Sequence, residues 1–537
     1  MDSLHQLEII ILLLAVVLAL TTLAQRMLLP YPILLVIGGL VLAMVPGVPT
    51  VTLNPDVVFL VFLPPILWAA AYFTSLRDFR DNLRPISLLA VGLVLATTAA
   101  VALAAHALLG FGWPEAVVLG AIVSPPDAVS ATAIGKRLNM PRRIVTILEG
   151  ESLVNDATAL VLYRAAVAAV VSGVFILQET LLQFLYAAVA GILVGLLVGL
   201  VTRLALRSIG DSFTEIGVTL LAPYVAWVVG ESIHASAVLA CVAGGLYLRQ
   251  HFSRVVAPST RIQGRAVWDL LVFLLNGVIF ILIGLQLGSL QAAVPADRLK
   301  PLMLGGALIS ATAILVRLGW VPLIATLPRC LSRTLRARDP LPPWSHLFLV
   351  GWTGMRGIVT LAAAMALPVS TSAGTPFPFR AEIILISFAM ILSTLVLQGL
   401  TLAPLIRRLG VSEGLEGEQE EMHARRHAAG AALSRLNDLT KEAWPKADHI
   451  EQLRVHYGRR LQRFAPDAEV DPACKKETSE ALIRLREATL AAERSALIRL
   501  RDDGTISDEV LHRLERELDI EALRLGLGER RVKEAMP

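Results

Sequence analysis

"ILEGESLVNDATALVLY", residues 147–163, reads as the middle of a membrane-spanning helix, yet it carries Glu149, Glu151, Asn155 and Asp156. A charged side chain at a helix centre costs roughly 2.5–3.5 kcal/mol on insertion scales. Keeping several within two turns therefore needs a reason. Ser152, Asn155 and Asp156 share one helical face, because offsets of three and four bring side chains together. Glu151 lies one turn before Asn155, on the flank of that face.

The rest of the chain has the matching character. Its 537 residues are 55% hydrophobic and 17% charged, with a mean hydropathy of +0.66. Apolar runs of about 20 residues recur from residue 7 to residue 406, the pattern of an all-α polytopic membrane protein. About thirteen spans are predicted, the fifth at 113–135, the sixth at 143–171 and the twelfth at 344–370. The first run, 7–25, lacks a basic leader and a small-residue cleavage site, so it reads as a retained helix. P-loop, HExxH and Rossmann patterns are absent, which argues against nucleotide-driven pumping and zinc hydrolysis and against an enzyme. Three widely spaced cysteines, Cys241, Cys330 and Cys474, offer no disulfide framework and no CxxC site.

Arginines and lysines collect in alternate loops. One set includes Arg77, Arg80 and Arg84, then Lys136 to Arg143, then Arg249 to Arg265; the other holds only Arg298, Lys300 and Arg380. By the positive-inside rule the N-terminus is outside and the C-terminus cytoplasmic. After Arg407-Arg408 the composition turns charged and helix-forming, which divides the chain into a membrane domain, 1–410, and a helical cytoplasmic regulatory tail, 411–537. His423 and His427 in that tail sit four apart, a spacing that reads first as a solvated helix face and only second as a metal site. Gly191, Gly195 and Gly199 form a small-residue packing face whose partner, within the chain or in a dimer, is left open.

Two other spans are interrupted. "AIVSPPDAVSATAIG" places Pro125, Pro126 and Asp127 deep in the fifth, and two prolines cannot continue a regular helix. "VGWTGMRGIVT" in the twelfth sets Gly351, Gly354 and Gly357 around Arg356. Each is the fifth of its own six-span set, and the sets insert with opposite orientation. Inverted repeats with two discontinuous helices crossing at a midplane site are therefore expected. Arg356 can neutralise helix ends there or pair with Glu151. Asp127 and Asp156 form an anionic, oxygen-rich and lysine-free cluster suited to a small hard cation. Such carboxylates can hold a cation and a proton in turn, which answers why the charges are kept.

"GESLVNDATALVLY", "SPPDAVSATAIG", "WDLLVFLLNGVIFILIGLQL" and "GMRGIV" together resemble the cation:proton antiporter-1 family, the bacterial sodium/proton exchangers, over about residues 7–410. The resemblance implies a dimerisation domain and a mobile core that moves elevator-fashion, hence a homodimer. It implies a cation and proton site of Asp127, Asp156, Asn155 and Ser152, with Na+ at Asp127 and Asp156, and a Glu151–Arg356 pair in the core. The expected activity is exchange of cytoplasmic Na+, or Li+ or K+, for external H+ across a bacterial inner membrane, serving sodium and pH homeostasis. The only small-molecule partners expected are the transported Na+ and H+, with membrane lipid around the protein; no cofactor and no nucleic acid are called for. The alternatives are a K+/H+ antiporter and a non-transporting cation or pH sensor. In one respect the chain departs from the family's pattern: many members have Asp-Pro at the break, whereas here Pro126 precedes Asp127.

The resemblance also bears on stoichiometry. Electrogenic relatives usually carry Asp-Asp where this chain has Asn155-Asp156, with a lysine inside the membrane; here the only lysines before the tail are Lys136 and Lys300. Asn155 cannot release a proton. With Asp127 and Asp156 acting as one coupled pair, electroneutral exchange is expected.

Overall fold

In a computed structural model, the described residues are 3–27, 30–45, 55–173, 177–293, 296–372, 374–411, 416–442, 444 and 446–463, with scattered positions between 489 and 521. They form two compact units, Met1–Glu413 and Gly414–Pro537.

The first unit is helical: α1 (Ser3–Arg26) and α2 (Tyr31–Ala43), α3 (Pro55–Phe73) and α4 (Leu83–Leu109). Then follow α5 (Trp113–Val123), α6 (Val129–Arg137), α7 (Arg142–Ser172), α8 (Leu177–Ser208), α9 (Ser212–Ser232) and α10 (Ala237–Val255). The unit ends with α11 (Pro258–Ala293), α12 (Ala296–Leu331), α13 (Trp344–Trp352), α14 (Ile358–Met365) and α15 (Arg380–Leu409). Among the described residues, eight helices are long and apolar enough to cross a membrane, and shorter apolar helices accompany them.

Local chemistry sets the boundaries. Asp211 caps α9 by accepting from the Thr214 amide at 2.8 Å, and Ser236 caps α10 through Leu239 N at 3.3 Å. Pro114 and Pro32 sit in the first turns of α5 and α2, where the missing N–H leaves no hydrogen bond unmade. In α3 the turn Val58–Phe62 widens to a π-helix just before Pro64-Pro65, and in α4 the turn Leu88–Leu93 does so just after Pro85. Prolines withdraw backbone donors, and a wider turn is one way for a helix to accommodate that.

The helices sort into two packing groups. α8 packs on α10, α10 on α3, and α2 on α11; separately, α4 packs on α5, α5 on α7, and α12 on α4, α13 and α15. The first group is a panel (α1–α3 and α8–α11), and the second is a core (α4–α7 and α12–α15). Each takes equivalent helices from the two halves of the chain, the inverted-repeat plan. Close approach within the panel depends on small residues: a Cβ on Gly191 or Gly195 would run into the carbonyls of Ser236 and Ala240. The Gly191–Gly195–Gly199 face is therefore used within the chain, against α10. The opposite side of α8 exposes Leu181, Leu185, Leu193 and Leu197, as suits a lipid-facing helix. At one end of the bundle, Arg164 of α7 and Glu231 of α9 join core to panel at 2.7 Å.

In the second unit, α16 (Glu416–Leu439) packs on α17 (Ala447–Arg463), with Ala429, Leu436 and Ile450 among their buried positions. His423 and His427 lie on an exposed face of α16. Most of the tail beyond residue 463 lies outside the described residues.

Candidate cation site

The two interrupted spans meet at their breaks. α5 stops at Val123 and α6 begins at Val129; α13 stops at Trp352 and α14 begins at Ile358. The Asp127 amide donates to the Met355 carbonyl at 2.7 Å, tying one break to the other. The approach is so close that a Cβ on Gly357 would strike the Asp127 carboxylate, so glycine is required there. Asp127 Oδ1 also accepts from Val129 N at 2.8 Å, which satisfies a free donor at the start of α6.

Arg356 lies where the opposite helix ends converge. Its Nε donates to the Val123 carbonyl at 3.0 Å and its Nη1 to the Gly354 carbonyl, while its own amide donates to Thr394 Oγ1 at 3.2 Å. The first carbonyl ends α5 and the second lies two residues past the end of α13, where the helix dipole is negative and amide partners have run out. A buried guanidinium answers both deficits.

The expected Glu151–Arg356 pair is corrected here. Both residues are buried, each 1% exposed, but the partner of Glu151 is Arg317 of α12. Its Nη1 and Nη2 engage Oε1 and Oε2 in a fork, the second contact at 2.7 Å, and its Nε donates to the Val350 carbonyl at 3.1 Å. Arg356 is drawn to the helix ends instead, and the planar fork of Arg317 matches the carboxylate bidentately. The signal was present in the sequence: "ATAILVRLGW" sets Arg317 in the middle of an apolar span, where the rule that singled out Glu151 applies equally.

A cavity of about 360 Å³ opens between core and panel at this crossing. Asp127, Asp156 and Ser152 line it from the core. Asn155 does not; fully buried, it donates its Nδ2 to the Pro126 carbonyl at 2.9 Å and so braces the α5–α6 break from behind. Polar groups that stand unmarked in the sequence also line the cavity, among them Thr360 in α14, with a buried hydroxyl lacking a hydrogen-bond partner, and Asn276 in α11. The mouth carries Lys136 and Glu149, paired at 2.7 Å, and Asp269.

The donors facing the cavity from the core are carboxylates and hydroxyls, the oxygen chemistry of a hard cation. Among the described residues no cluster of three or more His, Cys, Asp or Glu exists, so nothing here resembles a transition-metal centre. Two carboxylates at the crossing of broken helices, between two helical groups, define a secondary transporter of small cations. Comparisons with known proteins give the particular family. A family model described as "Sodium/hydrogen exchanger, transmembrane" matches residues 11–408. An uncharacterized Na(+)/H(+) exchanger of Mycobacterium tuberculosis is 34% identical over 97% of this chain and 96% of its own length. A sodium, potassium, lithium and rubidium/H(+) antiporter of Bacillus subtilis is 29% identical over 98% of this chain and 80% of its own. The sodium proton antiporter MjNhaP1 of Methanocaldococcus jannaschii shares the fold, with TM-score 0.62 and 19% identity over 76% of this chain and 98% of that one. The chain belongs to the sodium/hydrogen exchanger family, whose members are secondary transporters rather than enzymes.

Proposed function

We propose that this protein exchanges Na+ for H+ one-for-one, using Asp127 and Asp156 as a shared site, in the inner membrane of a bacterium. The observation that carries the reading is that both carboxylates line one cavity at the crossing, with oxygen donors around them. In apolar surroundings the pair needs compensating positive charge, and a bound cation or a proton each provides it. Site occupancy by one then excludes the other. Ser152 and Thr360 supply further oxygens, while Asn155 and Arg356 hold the breaks in place.

The cavity mouth lies at Lys136, Glu149 and Asp269, beside the loops richest in arginine and lysine. The positive-inside rule makes this the cytoplasmic face. At the far end Arg164–Glu231 joins core to panel, as expected of the closed side of an alternating-access transporter. The core, carrying both carboxylates, moves against the panel to open that side, and a second copy of the chain steadies the panel as a homodimer. The site and both repeats end by Leu409, which leaves a regulatory role to the tail.

The Bacillus subtilis relative named for sodium, potassium, lithium and rubidium supports a second reading, in which K+ is also carried. Proteoliposomes loaded at fixed pH separate the two. An outward Na+ or Li+ gradient is expected to drive proton uptake and an outward K+ gradient none; proton uptake driven by a K+ gradient would establish the second reading, and no cation driving flux would overturn both.

A further inference from the structure

The panel wall of the cavity is largely apolar, with Leu63, Ile66, Leu67 and Val272 facing the core. Asn276 of α11 and Tyr31 of α2 interrupt it, and of the two only Asn276 carries an amide. The residue is 3% exposed, lines the same cavity as Asp127 and Asp156, and has a buried Oδ1 without a hydrogen-bond partner. A buried amide left unpaired is unfavourable, and leucine or valine would fill the position without that penalty. Its neighbours on α11 do so: Leu275, Val278 and Ile279 all pack into the apolar core.

Asn276 also has a place in a sequence of groups. Asp269, Val272 and Asn276 are spaced by three and four residues, so they occupy one face of α11, and all three line the cavity. Asp269 is exposed at the mouth, its side chain 60% accessible; Asn276 lies about 10 Å further along the helix, at 1.5 Å per residue. A cation entering over this face leaves water at Asp269 and meets Asn276 beside the carboxylates.

We propose that Asn276 is a specificity-determining residue, the ligand that the panel contributes to the cation held by the core. Its amide suits both halves of an exchange cycle. The carbonyl oxygen faces a bound cation; a half-turn about the last side-chain torsion presents the NH2 group to an oxygen of the protonated pair. Because α11 belongs to the panel and Asp127 and Asp156 to the core, this contact breaks when the core moves. Asn276 therefore weighs the cation's size and hydration on the open side before the site is carried across.

This inference rests on the exchange reading, so its test starts from wild-type flux. Proton flux in proteoliposomes is measured against Na+, Li+ and K+ concentration for wild type, Asn276→Leu and Asn276→Gln. Asn276→Leu is expected to raise the half-saturating Na+ concentration about tenfold, with a much smaller change in maximal rate, since one ligand of the bound cation is lost. Asn276→Gln, which keeps the oxygen one methylene further out, is expected to recover Na+ affinity in part and to change the Li+/Na+ preference. Folding is followed by size-exclusion profile and thermal melting; if the leucine variant is not recovered folded, Asn276→Gln and Asn276→Ser carry the comparison. Unchanged half-saturation and unchanged cation order in these variants, with wild type active, overturn the role of Asn276 alone. Wild type without cation-driven flux overturns the exchange reading instead.

Discussion

Asp156→Asn and Asp127→Asn should each reduce sodium-driven proton flux to background, a loss on the order of a hundredfold or more. The substitution keeps the shape of the side chain and removes the charge that a proton or a cation must balance. Asp156 is the more deeply set, 7% exposed, while Asp127 also caps α6 through Val129. Neither change should unfold the protein: removing an unpaired charge from apolar surroundings relieves desolvation, so melting temperatures should hold or rise. Initial rates in proteoliposomes, with size-exclusion profiles to confirm folding, check this. Near-normal flux in either variant would remove that carboxylate from the exchange.

The second large effect concerns Arg317. Arg317→Ala leaves Glu151 as an uncompensated charge in the core, and breaking a buried pair from one side destabilises by about 3–5 kcal/mol. The yield of folded protein should fall sharply. Adding Glu151→Gln should restore much of it, because the stranded charge is gone. Arg356→Ala should also harm the protein, since the Val123 and Gly354 carbonyls lose their donor, but Glu151→Gln should not rescue it. Thermal melting of the two single and two double variants decides the matter. Rescue of Arg356→Ala, with none of Arg317→Ala, would return the pair to Glu151 and Arg356.

Much of this architecture is legible in the sequence for one reason: a bilayer makes polar groups conspicuous. Glu151, Asn155 and Asp156 stand out of an apolar run, and Pro125-Pro126 and the Gly354–Gly357 segment announce broken helices because membrane depth forbids unpaired backbone elsewhere. The same logic applied to Arg317 points to the true partner of Glu151; in the sequence, Arg356 is an equally available cation for the helix ends or for the carboxylate. Which cation meets which anion is a matter of three-dimensional reach. Arg317 lies 166 positions from Glu151 in the chain, and no local spacing encodes the contact. Asn276 and Thr360 were hidden differently. A single amide or hydroxyl in an apolar helix is inexpensive when it bonds within its own turn, so their significance appears only once the Asn276 Oδ1 and the Thr360 hydroxyl are left without a partner. The partner of the glycine face was open for the same reason as the ion pair: packing surfaces read alike whether they meet their own chain or a copy.

One measurement tests the central claim most directly, the exchange of one cation for one proton at a site with a single coupled carboxylate pair. Sodium-driven proton flux is recorded in sealed proteoliposomes with and without a potassium-diffusion potential imposed by valinomycin. With Asn155 unable to supply a second proton, no net charge crosses per cycle, and initial rates and end-point gradients should be the same at either voltage. Rates and end points that follow the imposed potential would contradict it.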